Sequence, residues 1–127
     1  MGADQGKGNA ASLLGKYSMH QAYELYERIR QEEAAEQGKG PAEDFFEACL
    51  DYAQIRGRWI GLSAQERHIW RPMRRRAGDN CIRRFGQVRA RLLERTGETV
   101  LADEEADPLR LLDLYLLMAL FRGLESG

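Results

Sequence analysis

Cysteine is scarce in this chain. The two present, Cys49 and Cys81, form no CxxC pair and no dense framework, which excludes a disulfide-stapled scaffold. Each falls at an apolar position of a helical pattern, where a free cysteine acts as a small buried hydrophobe in a reducing compartment. Histidine is equally sparse. His20 and His68 lie far apart, with no Cys, Asp or Glu at a ligand spacing such as HExxH, so no metal is implied. There is no GxSxG, no P-loop and no glycine-rich strand-to-helix turn, so no catalytic residue and no cofactor are implied. Long apolar runs are missing too. The longest, residues 114–121, is far below the ~20 residues of a membrane span, and the N-terminus lacks a basic-then-apolar leader. These absences lead us to expect a cytoplasmic protein that uses no membrane and is not an enzyme.

Lysine is absent from residues 54–95, and acids there are few. That stretch holds twelve arginines against Glu66, Asp79 and Glu94, a net of +9. Residues 1–55 and 96–127 each carry −5, so the overall −1 conceals an acid–base–acid layout. Arginine presents a flat fork of donors suited to phosphates, carboxylates and aromatic faces. At 127 residues with 43% hydrophobic composition, the chain is long enough for one domain with an ordinary core.

What is plentiful is helical periodicity. Residues 1–17 carry four glycines and only Leu13 and Leu14 as an anchor, so a flexible tail is expected there, ahead of a helical domain at 18–127. Ser18 suits an N-cap, and Met19, Ala22, Tyr23, Tyr26 and Ile29 repeat at three and four residues. Gly38-Lys39-Gly40-Pro41 breaks that helix and opens a second with Phe45, Phe46, Cys49 and Tyr52 on its apolar face. Ser63-Ala64-Gln65-Glu66 is a capping box for a third. Pro72 predicts a kink or break in it, Gly78 its end, and Asp79 the cap of a fourth helix with Cys81, Phe85, Val88 and Leu92 as its seam. Residues 98–106 read as an acidic loop, and Asp107-Pro108 opens a last helix. That helix is apolar on nearly every side, so it belongs at the centre of a bundle or is shared with another subunit. Leu112, Leu116, Ala119 and Leu120 are its expected buried positions. Asp113, one turn in, is a carboxylate that must find a partner if buried. No segment alternates with period two, so the expected fold is an all-α, single-domain bundle of about five helices around an apolar C-terminal helix.

The candidate contact residues are Arg67, Arg71, Arg74, Arg75, Arg84 and Arg91. On a wheel of about 100° per residue, Arg67, Arg71 and Arg74 lie within about 60°, with Ile69, Trp70, Met73 and Ala77 on the other arc. Arg84, Arg91 and Arg95 line one side of the next helix. Such a face can lie along phosphates, and Trp59 and Trp70 are interleaved with it. The competing reading is pairing with the acidic flanks, with Glu43, Glu47 and Asp51 at helical spacing on the second helix. The sequence therefore points to a binding or regulatory module whose partner is nucleic acid or an acidic protein. The alternative is an interaction or self-association module, a homodimer for instance, that pairs acidic and basic faces.

Leu62-Ser63-Ala64-Gln65-Glu66-Arg67, then Trp70, Arg74, Asn80-Cys81-Ile82, Ala90-Arg91-Leu92 and Gly97 resemble an uncharacterised family of short helical proteins of gut Clostridia and their mobile elements. The resemblance covers roughly residues 45–124. It implies a bacterial, accessory protein and brings no activity, catalytic residue or cofactor with it.

Overall fold

The computed structural model describes residues 19–98 and 108–126. The tail expected at 1–17, the Ser18 cap and nearly all of the acidic loop lie outside those residues. The described residues form four helices and no strand: α1 (Met19–Ala35), α2 (Pro41–Trp59), α3 (Ala64–Thr96) and α4 (Pro108–Ser126). The all-α expectation holds.

Local chemistry explains the breaks. Gly38 takes a positive φ of 100° that other residues rarely adopt. Gly40 stands at the N-cap of α2 and has no side chain to offer, so Glu36 reaches across and accepts from Ala42 N at 2.9 Å. Between α2 and α3, Gly61 N and Leu62 N turn back onto the carbonyls of Arg58 and Trp59. The capping box then closes in both directions: Glu66 N donates to Ser63 Oγ at 3.1 Å, and Ser63 N donates to Glu66 Oε1 at 2.8 Å.

Two expectations are corrected. The helices expected at 64–77 and 80–96 are one helix, α3, of 33 residues. At 1.5 Å per residue it spans about 50 Å, against about 29 Å for the 19 residues of α2. Pro72 does not end it. Proline there forgoes a single hydrogen bond, to the carbonyl of residue 68, on an exposed turn where water can serve that acceptor. Gly78 does not end it either. It is buried in mid-helix, and a Cβ there would meet Leu112 Cδ2 at 3.1 Å and a Tyr52 ring carbon at 3.5 Å. The glycine is there for close approach of three helices, and Asp79 is a mid-helix residue rather than a cap.

The second correction concerns α4. It is not a helix surrounded by the others. Leu111, Leu114, Tyr115, Met118, Ala119 and Phe121 are buried along one arc. Leu112 and Leu116 are only half-buried, Leu120 is 50% exposed and Leu124 71%. Asp113 is half-buried, so it does not need the partner that a fully buried carboxylate would. Both α2 and α4 touch all three other helices, and the most extensive packing joins α2 to α3. The core is a run of rings: Phe45 lies 5.5 Å from Phe85 and 5.8 Å from Tyr115, and Tyr26 lies 5.3 Å from Phe46. Every buried residue of α3, namely Gly78, Cys81, Phe85, Val88 and Leu92, lies from Gly78 onward. The first half of α3 and the end of α2 form a two-helix arm beyond this core.

Candidate functional site

Because α3 is continuous, its buried seam fixes the phase of the arm. Carried back at about 100° per residue, the direction of Gly78 and Phe85 points to Arg67, Arg71 and Arg74, all within about 30°. Arg67 and Arg74 thus stand half-buried on the stripe that faces inward, toward α2, while Arg71 between them is exposed at its edge. Ile69 and Met73, the apolar arc in the sequence reading, face solvent instead, with Ile69 65% exposed. Two separate helices could have taken independent phases; one helix cannot.

Arginine on an inner stripe needs aromatic and carbonyl partners, and α2 supplies them. The Arg74 guanidinium sits 4.6 Å from the centroid of the Trp59 ring, and that of Arg67 sits 5.9 Å away. Arg67 Nε also donates to Trp59 O at 3.0 Å. In the other direction, Arg58 of α2 lies over Trp70 of α3 at 6.0 Å. Cation–π contacts of this kind are worth roughly 0.5–2 kcal/mol each. They hold the arm together where apolar packing has run out. Both tryptophans are half-buried in this ladder.

Below the ladder is a cleft of about 360 Å3 lined by Tyr52 and Trp59 of α2, Arg71, Arg74, Arg75, Gly78, Asp79 and Ile82 of α3, and Leu112 of α4. Its floor is apolar, and three guanidiniums face one carboxylate. The missing Cβ of Gly78 helps to keep it open. On the opposite side of the hairpin a shallower groove is lined by Asp51, Gln54, Arg76, Asn80 and Arg83, among others.

The six candidate arginines do not form one patch. Arg67, Arg71, Arg74 and Arg75 gather on the arm. Arg84 is about 20 Å further along α3 than Arg71, and Arg91 about 30 Å, both turned away from the arm stripe. Among the described residues, none of the four arm arginines lies within ion-pair distance of a carboxylate, whereas Arg84 Nη1 is 3.5 Å from Asp44 Oδ2 and Arg95 Nε is 3.1 Å from Glu32 Oε1. Glu32 is the one buried acid among the described residues. Arg28 pairs with Glu98 and Arg122 with Glu33. Of the acids considered for pairing, Glu47 holds Lys39, as does its neighbour Asp44.

Cys49 and Cys81 are free and buried at the α2–α3 contact. The Cys81 thiol donates to Ala48 O at 3.2 Å. Burial, with Cys81 alongside, pushes the Cys49 thiol well above its ordinary value, which disfavours a thiolate nucleophile. No group of three His, Cys, Asp or Glu among the described residues could hold a metal ion. No helix there is long and apolar enough to cross a membrane.

Reading the sequence alone missed the cleft floor, Tyr52, Gly78, Ile82 and Leu112. The one signal for it was Gly78 itself, since a glycine inside a helical pattern often marks close approach as well as an end. Comparison with protein-family models, with curated proteins and with solved structures finds no match for this chain.

Proposed function

We propose that this chain is a non-enzymatic binding module that holds nucleic acid against the arm formed by α2 and α3. The observation that carries this reading is the contrast between arginines. Arg67, Arg71, Arg74 and Arg75 have no carboxylate partner among the described residues, while Arg84 and Arg95 do. Arg67 and Arg74 are held by the Trp59 ring and Arg71 and Arg75 are exposed, so all four keep their charge and spare donors for a phosphate. The contact set proposed from the sequence narrows to those four. The resemblance to small bacterial accessory proteins and two buried, free thiols suit a module working in the cytoplasm.

The test is a salt titration of a labelled oligonucleotide. Four phosphates neutralised on duplex DNA give a slope of log K against log[salt] of about −3.6. The double variant Arg71→Ala/Arg74→Ala should roughly halve that slope, with helicity followed by circular dichroism. Equal slopes for parent and variant, or no binding at low salt, would reject the reading.

One observation favours self-association. Leu116 and Leu117 are half-buried and Leu120 and Leu124 exposed along the outer side of α4, an apolar stripe of the kind that a second copy covers. The ion pairs within the chain already use several of the acids, so a dimer would form through leucine rather than through charge. Sedimentation velocity over a wide concentration range decides: Leu120→Glu should shift the profile toward monomer, and a parent that stays monomeric throughout ends this reading.

A further inference from the structure

We infer that the cleft beneath Arg71, Arg74 and Arg75 takes one unstacked nucleobase, so that the arm selects single-stranded over duplex nucleic acid. The inference rests on the nucleic-acid reading above and adds to it the form of the ligand.

The cleft's own chemistry makes the case. A surface that only neutralises phosphates needs charge and no depth. This one is a half-open cleft, and its volume of about 360 Å3 falls in the range of small-ligand pockets. Its floor is Gly78, Ile82, Leu112 and the ring of Tyr52, which offer a base apolar contact, and the Tyr52 hydroxyl accepts from Arg56 at 2.9 Å. Its wall is the Trp59–Arg74 stack, and both indole and guanidinium planes are surfaces on which bases stack. Arg71 and Arg75 join Arg74 in lining the cleft, where phosphates on either side of an inserted base can reach them. Asp79 is the single carboxylate in the lining, an acceptor for the N–H edge of a base. A duplex keeps its bases stacked and paired and presents phosphates outward, so it could satisfy the arginines but leave the floor empty. A single strand satisfies both. The charge also continues past the cleft: Arg67 and Arg58 stand further along the ladder, more than one isolated anion requires.

The experiment uses the full chain with Trp70→Phe, which leaves Trp59 as the only tryptophan. Four ligands are titrated at one low salt concentration: a mixed-sequence single-stranded 12-mer, the same sequence as a duplex, an abasic phosphodiester 12-mer and a mononucleotide. The expected result is quenching of Trp59 by the single strand, with affinity at least about tenfold above the duplex and the abasic chain, as one base stacked on an aromatic wall provides. Ile82→Phe, which fills the floor, should bring the single strand down to the duplex level with its salt slope unchanged. Equal affinity for single strand, duplex and abasic chain would overturn the cleft inference and leave the phosphate-binding arm intact. A mononucleotide that binds as tightly as the strand would also overturn it, giving the cleft to a free nucleotide. Binding of none of the four removes both readings together.

Discussion

The two halves of α3 carry the same number of arginines and place them differently. Residues 64–77 hold Arg67, Arg71, Arg74, Arg75 and Arg76; residues 78–96 hold Arg83, Arg84, Arg89, Arg91 and Arg95. In the second half the inner stripe is Gly78, Cys81, Phe85, Val88 and Leu92, all buried. Arginines there sit at the flanks, where Asp44 of α2 and Glu32 of α1 reach Arg84 and Arg95. In the first half the inner stripe is arginine, no residue is fully buried, and the opposing helix offers Trp59 and backbone carbonyls instead of carboxylates. Composition does not separate these halves. What separates them is which neighbours each half faces: α1 supplies its acid only to the far end of α3.

The largest expected effects test whether stability is concentrated in the second half. Phe85→Ala removes a fully buried ring from the aromatic cluster and should cost about 3–5 kcal/mol, measured by chemical denaturation. Ile69→Ala, a mid-helix apolar truncation on the exposed side of the arm, should stay within about 0.5 kcal/mol of the parent. If the two costs were similar, the arm would be part of the core and the contrast would collapse.

A pH titration sharpens the same contrast by probing the end of the molecule remote from the arm. The Tyr26 hydroxyl, on a fully buried ring of α1, donates to Glu125 of α4. Burial first, then the Glu125 carboxylate, push its pKa up to about 12, with Arg122 opposing. The fold therefore prefers the neutral phenol. Its contribution is fully present below pH ~10 and is lost as pH rises from about 10 to about 12, at most ~2–3 kcal/mol. Tyr26→Phe should flatten that part of the stability profile. A parent and variant that lose stability in parallel between pH 9.5 and 11.5 would show that Tyr26 is not its source.

A smaller loss than that of Phe85 or Tyr26 belongs to the arm. A segment without buried residues depends on local interactions, so Ser63→Ala, which breaks the capping box, should cost about 1 kcal/mol. The loss should appear as faster amide exchange confined to residues 64–72. Exchange that rises equally across residues 78–96 would mean that the two halves open as one unit.

Much of this was legible before the fold was known. The capping box at Ser63, the proline at the first position of α2, and the Cys81–Leu92 seam each signal themselves within a few residues, because the groups involved are neighbours along the chain. The continuity of α3 was not legible. Pro72 and Gly78 both carry strong local penalties in a helix, roughly 3 and 1 kcal/mol relative to alanine. Only the approach of Tyr52 and Leu112 to Gly78 shows why a glycine is retained there. The outward half of α4 was misread for a similar reason. Leucine on every side of a helix says that contact is favourable but not on which side the contact is made.

The sequence by itself determined that the described residues are helical, that helices open at Pro41, after Ser63 and at Pro108, and that positive charge concentrates in the middle third. Those properties follow from backbone capping, side-chain period and composition, all local or additive. The tertiary structure alone decided which arginines have carboxylate partners, which way the arm stripe faces, and that a cleft opens beneath it. Those depend on the phase of one long helix against two others. A rotation of about 100° per residue carries no label in the sequence once a proline and a glycine stand in its path.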